Sequence, residues 1–476
     1  MRKRHGWVGK VLVIALAVAM AGALSPGLAS AQQQTKNVQS LFDVRISGTV
    51  IMAVAWTSDE TALTGPAVVS IAPRSKGSPF HDRHGLRWTA SSSNLRFAIS
   101  GPEVLWGAKS SGLIAFDFSG PAISTSTTSG TFGSNLGAGA TNPAALQEAY
   151  ATFAYPMGSV IVGQTFILFG GGARSGAPAF GTLFDFIPSF LRAPQVQLRS
   201  APIPLGIPDT TLTLAGAAQV STTTRDTGLP AQSISSLYDS GTRSAEPQWA
   251  LSLSVASTAL FKRLTNVVVS GTLGEETLAA ATIGPPAATT GYFRDVDKRG
   301  VSVRAIVPLG PATPFGSWDI RAGYHWSENL IGGWSLNSGV QGIPGIPPWN
   351  TYGTTGGALV PSAAFFALSD PKLIASQSWY TEINGVITRN FSLGGGYAIL
   401  WDDRSDLQAS HAITAYTEGV PADLSRQRWW IYVRWVEGPV DVGLQYTAHV
   451  EKWTDFVKPD YKTAMETVNF MFRYNF

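Results

Sequence analysis

In Met465–Phe476, Val468, Phe470, Phe472, Tyr474 and Phe476 alternate with Asn469, Met471, Arg473 and Asn475. A period of two puts the large apolar side chains on one face of an extended strand and the polar ones on the other. The alternation recurs upstream. Val44, Ile46, Val50, Met52, Val54 and Trp56 alternate with Arg45, Ser47, Thr49 and Ala53. Trp318, Ile320, Ala322, Tyr324 and Trp326 alternate with Asp319, Arg321, Gly323, His325 and Ser327. Trp429, Ile431, Val433 and Trp435 do so with Arg428, Trp430, Tyr432 and Arg434, and Val442, Leu444, Tyr446 and Val450 with Asp441, Gln445, His449 and Glu451. In each of these segments the polar face carries formal charge.

Read this way, the chain predicts sixteen strands: 43–57, 86–101, 109–118, 145–156, 158–169, 194–202, 209–220, 246–257, 264–275, 299–309, 315–327, 373–388, 389–402, 425–437, 438–453 and 463–476. Many run 10 to 14 residues, enough to cross a bilayer when tilted, whereas ordinary strands average about 5–6. Trp56, Trp318, Trp326, Trp401, Trp429, Trp435, Tyr474 and Phe476 sit at segment ends, as in the interfacial girdles of membrane barrels. Connections alternate short and long, the longest spanning 328–372. Short turns on one side and long loops on the other are the asymmetry of a membrane barrel, and hydrocarbon demands closure because an open edge leaves backbone groups unpaired. The expected fold is all-β: a transmembrane antiparallel barrel of about 16 strands over residues 43–476, termini and short turns on the periplasmic side.

Composition narrows this further. Arg2, Lys3, Arg4 and Lys10 precede an apolar stretch from Val11 to Leu24, and Ala29-Ser30-Ala31 supplies an A-x-A site. Residues 1–31 therefore read as a cleaved signal peptide, and 32–42 as a short periplasmic lead-in. The formal charge of +3 comes from 34 basic and 31 acidic residues, and four of the basic ones lie in the signal. The mature chain has a net charge of −1, which removes the case for a nucleic-acid partner. The absence of cysteine excludes disulfides and cysteine-ligated metals. No stretch after the signal approaches the length of apolar helix needed to span a membrane.

Sixteen strands would enclose an aqueous channel. The pore-lining candidates are Arg45, Arg96, Arg304, Arg321, Arg434, Arg473, Asp319 and Glu382, with Arg174 and Asp185 from the third long connection. Arg473, Arg45 and Arg96 fall on the last, first and second strands, neighbours once the barrel closes. The connection 170–193 opens with Gly170-Gly171-Gly172 and carries four phenylalanines. Folded inward it would constrict the lumen, with Asp185 facing the arginines. His81 and His84 flank Asp82 without the third ligand a metal needs, so neither metal nor cofactor is expected. No G-x-S-x-G, H-E-x-x-H or GK[ST] motif is present, which argues against an enzyme. A barrel-embedded hydrolase and a soluble secreted β-protein are the readings from other classes.

Short stretches of residues add a resemblance. Ser93-Asn94-Leu95-Arg96-Phe97, Gln147-Glu148-Ala149-Tyr150, Gly163-Gln164-Thr165-Phe166 and the terminal Phe476 resemble the second, fourth and fifth strands and the terminal signal of general bacterial porins. The first-to-fifth-strand layout is similar to the DcaP-like porins. Porins usually place an arginine where this chain has Asn94, and one is common where it has Gln147. The resemblance implies a homotrimer in outer-membrane lipid, constricted by the third loop, that passes small hydrophilic solutes. In the DcaP-like group these include dicarboxylates.

Overall fold

The structure, a computed structural model, describes residues 42–58, 84–90, 92–104, 106–118, 145–170, 192–220, 247–281, 291–314, 316–328, 375–404, 422–454 and 460–476. Sixteen antiparallel strands follow one another around a closed barrel. They are β1 (Asp43–Thr57), β2 (Gly85–Thr89 continued by Asn94–Val104), β3 (Ala108–Asp117), β4 (Ala145–Tyr155), β5 (Gly158–Phe166) and β6 (Arg192–Ser200 continued by Ile203–Pro204). Then come β7 (Thr210–Gln219), β8 (Gln248–Ser257), β9 (Thr265–Ala281), β10 (Gly291–Pro308) and β11 (Ser317–Glu328). The last five are β12 (Ala375–Val386), β13 (Phe391–Asp402), β14 (Ala422–Glu437), β15 (Val440–Thr454) and β16 (Tyr461–Asn475).

Closure is made by β1 and β16, paired from Thr49 against Asn475 to Thr57 against Thr467. At the seam Gly48 and Phe476 exchange two backbone hydrogen bonds of 3.0 Å. The Phe476 ring occupies the space a Cβ at Gly48 would need. None of the described strands is left with an open edge, as hydrocarbon requires.

Two strands are interrupted, and a serine hydroxyl spans each gap. Opposite the break in β2, Ser93 Oγ accepts from the Ile51 amide at 2.9 Å and lies 3.2 Å from the Ile51 carbonyl, to which it donates. At the end of the first part of β6, Ser200 Oγ accepts from the Leu214 amide at 3.0 Å. Backbone groups that lose their ladder partner keep a hydrogen bond, so each break bends the wall without leaving a buried donor unpaired.

The polarity of the barrel is inverted relative to a soluble core. On the outward face Leu251, Leu273, Ile46 and Ile431 are 60–70% exposed. On the inward face Gln197, His325, Gln445 and Glu451 are fully buried. An apolar outer surface of this extent suits lipid, not water. The observed strands match the sixteen predicted, with differences of extent: β5 ends at Phe166 where the sequence carries it to 169, β14 begins at Ala422 where the sequence begins it at 425, and the largest change is at β9 and β10. β9 and β10 stay paired out to Ala281 against Gly291, whereas the sequence ends them at 275 and 299. Beyond Glu275 the sequence no longer alternates polar with apolar, while the backbone ladder, which needs no apolar face, continues.

Candidate functional site

After β5 the chain leaves the wall. Ile167, Leu168, Phe169 and Gly170 are buried and lie across the inward faces of β6–β11. Leu168 packs on Ala217 and Ala250, and Ile167 and Phe169 cluster with Ala193. The Phe169 ring lies 5.1 Å from that of His325. The Gly170 amide donates to Ser270 Oγ at 3.0 Å, and Arg304 Nη1 donates to the Gly170 carbonyl at 2.8 Å. The amide of Gln195 holds the carbonyls of Thr165 and Phe166 at 2.7 and 3.0 Å, and that of Gln197 holds Phe166 at 2.8 Å. Small inward residues on β7–β9, among them Ala217, Ala250 and Ser270, leave room for this crossing. Of the third connection's candidates, Arg174 and Asp185 lie outside the described residues.

The wall from β11 to β16 is cross-linked. Gly394 and Gly396 on β13 face inward, and a Cβ there would sit 2.6 Å from the Tyr432 ring and 2.5 Å from the Trp430 ring. The two rings of β14 therefore lie over the glycines and reach the second strand beyond. Trp430 Nε1 donates to Glu382 Oε2 at 3.1 Å, and the Tyr432 hydroxyl to Asn384 Oδ1 at 2.7 Å. From β12 the chain of contacts runs on to β11. Asn384 Nδ2 donates to Asp319 at 3.1 Å, Arg321 Nε to Asp319 at 2.9 Å, and Arg321 Nη1 lies 3.6 Å from Glu382. Arg304 on β10 donates to the Tyr380 hydroxyl at 3.3 Å. Towards β16, Arg434 Nε and Nη2 each donate to Asp441 at 2.9 Å in a bidentate pair. Arg473 Nη2 stands 3.1 Å from the same carboxylate. Arg426 pairs with Glu451.

Past the seam, beyond β1, the wall is open. On β2 the inward residues Arg96, Ala98 and Ser100 are exposed, as is Ser111 on β3. At the far end of β3, Gln147 joins Asp117 to Arg192 through hydrogen bonds of 2.9 and 2.7 Å. Arg192 also covers the Phe166 ring at 4.2 Å.

The structure thus brings together Arg304, Arg321, Asp319 and Glu382 in one network, and Arg434 with Arg473 in another. Register makes Arg45 and Arg96 diagonal neighbours, with Arg45 opposite Ala98 and Arg96 opposite Ser47, but it leaves Arg473 apart from them. Arg473 pairs in register with Ile51, six residues from Arg45, about 20 Å along the strand. Arg45 stands at the rim, 81% exposed and 3.3 Å from Asp43. Adjacent strands guarantee lateral closeness but not equal height. Tyr380, Asn384, Gln195 and Gln197 do not stand out in the sequence as site residues. The spaced glycines 394 and 396, beside two aromatics at inward positions of the next strand, are the signal that could have found the ring ladder.

No protein-family model matches the chain, and no curated protein is similar to it. Among solved structures it is similar to the outer membrane channel DcaP of Acinetobacter baumannii, with a TM-score of 0.58 at 18% identity over 92% of this chain and 98% of that one. OprB of Pseudomonas putida aligns with a TM-score of 0.49 at 10% identity, covering 92% and 95%. OmpT of Vibrio cholerae, an outer membrane protein, aligns at 0.48 and 9%, covering 92% and 98%. What the structure defines is a fold class, a closed sixteen-strand antiparallel β-barrel. The particular likeness is to the DcaP channel, and it is a likeness of fold.

Proposed function

We propose that this chain is an outer-membrane porin: a water-filled channel through which small hydrophilic solutes and ions diffuse passively. The observation that carries this reading is the inverted barrel, apolar outside and polar inside, with the β2–β3 side of the lumen open to water. An apolar exterior keeps the barrel in lipid, while a hydrated, charged interior lowers the barrier for ions. Selectivity is assigned to Arg45, Arg96, Arg304, Arg321, Arg434, Arg473, Asp319 and Glu382, with Arg174 and Asp185 of the third connection, which lie outside the described residues. The mature protein begins at Gln32 after signal cleavage, inserts in outer-membrane lipid as a homotrimer, and acts without cofactor or catalysis.

A second reading, preference for small organic anions such as dicarboxylates, is favoured by the charge of the β10–β16 lumen face. There, among the residues whose side chains are described, Lys298, Arg304, Arg321, Arg426, Arg428, Arg434 and Arg473 outnumber Asp319, Glu382, Asp402, Asp441 and Glu451. Both readings are tested by recording single channels of refolded mature protein in a planar bilayer under a KCl gradient. Stepwise openings in groups of three are expected, with a reversal potential on the anion-selective side for the second reading. An electrically silent, correctly folded barrel would contradict an open channel.

A further inference from the structure

On the outward face of β15 the residues after Val440 are Val442, Leu444, Tyr446, Ala448 and Val450, and then Lys452. Twelve residues at strand rise span about 40 Å, which at the usual barrel tilt is about 30 Å along the axis. Lys452 therefore stands just past the apolar belt, at the end of the barrel opposite the turn Gly438-Pro439 and Phe476. Its direct cross-strand partner is Lys462 on β16, also outward and exposed. Like charges directly opposite one another on a sheet face repel. One carboxylate at this rim, Asp460, lies 2.9 Å from Lys452 Nζ. It is shared with Arg404, whose Nη1 is 2.8 Å away, so it does not neutralise the lysine pair. The next outward acid along β16, Glu466, is four residues off, about 13 Å.

We infer that Lys452 and Lys462 form a binding site for the phosphate of a lipid headgroup in the leaflet at the long-loop end of the barrel. Height and charge fix the occupant together: the pair lies level with headgroups, faces away from the lumen, and among the described residues has only the shared Asp460 as a matching anion. A phosphate between the two ammonium groups turns a repulsive cross-strand pair into a bridged one. The inference rests on the barrel spanning a bilayer as proposed above.

The test uses the mature protein in detergent micelles, its fold verified by heat-modifiable gel mobility. Retention of phosphatidic acid and of a diacylglycerol with the same chains is measured by native mass spectrometry. Phosphatidic acid is expected to be retained preferentially. The double substitution Lys452→Gln/Lys462→Gln is expected to weaken that retention about thirtyfold, from the usual contribution of a lysine at a charged lipid surface. Lys262→Gln, at the opposite end of the barrel, is expected to leave it unchanged. Equal retention of the two lipids, an undiminished signal in the double variant, or inorganic phosphate binding as tightly as the lipid would each overturn the site. Loss of heat-modifiable mobility in the unaltered protein would instead overturn the barrel reading, and the site with it.

Discussion

The two sides of the lumen are built on opposite terms. On β2 and β3 the inward residues Arg96, Ala98, Ser100 and Ser111 are exposed to water. On β12 to β15 the inward residues Tyr380, Glu382, Trp430 and Asp441 are almost wholly buried, held by bonds that cross two or three strands. A charge in water costs little to keep and is free to act on a passing ion, whereas a buried one must be matched or it destabilises the fold. One barrel therefore combines a rigid side, which fixes its shape, with a hydrated side along which solutes move.

The comparison predicts how differently the two sides respond to substitution. The largest effect is expected at Glu382, which accepts from Trp430 and faces Arg321. Glu382→Ala strands buried partners and should cost about 3–5 kcal/mol, read as a fall in the urea concentration that unfolds the barrel in detergent. Gly396→Val comes next. Its side chain would enter the space of the Trp430 ring, and overpacking of this kind costs about 1–3 kcal/mol. If Gly396→Val unfolds at the same urea concentration as the unaltered protein, the ring ladder does not hold the wall.

On the open side the expectation reverses. Arg96→Ser should change stability by no more than about 0.5 kcal/mol, yet raise the cation-to-anion permeability ratio measured from reversal potentials. Arg45→Ser should shift that ratio in the same direction but less, because Arg45 stands at the rim beside Asp43, where counter-ions screen it. A larger shift from Arg45 than from Arg96 would mean that selectivity is set at the rim and not within the lumen.

Much of this architecture can be read from period alone. Alternation of Val442, Leu444 and Tyr446 with Asp441, Gln445 and His449 assigns each residue to a face, and the faces are as observed. Even the weak strand around 194–202 is present, as the first part of β6 with its serine-bridged break. What period does not encode is height. Arg45 and Arg96 are diagonal neighbours on β1 and β2, but register places Arg473 against Ile51, and its guanidinium turns to Asp441 on the other neighbour. Nor does period reveal what an absent side chain permits: Gly394 and Gly396 read as weak strand residues until the rings of the adjacent strand are seen to occupy their space. The extension of β9 and β10 was hidden for the complementary reason, since a ladder outside lipid has no need of an apolar face.

The central claim is that water fills the β2 side of the lumen and is excluded from the β15 side. Because the chain contains no cysteine, single cysteines report on this directly. Ala98→Cys and Thr447→Cys would be examined in planar bilayers with a charged, membrane-impermeant thiosulfonate added during recording. Ala98 faces inward and is exposed, while Thr447 is fully buried. The account predicts a stepwise fall in conductance for Ala98→Cys and none for Thr447→Cys. Equal modification of both, or none at Ala98 in a conducting channel, would contradict it.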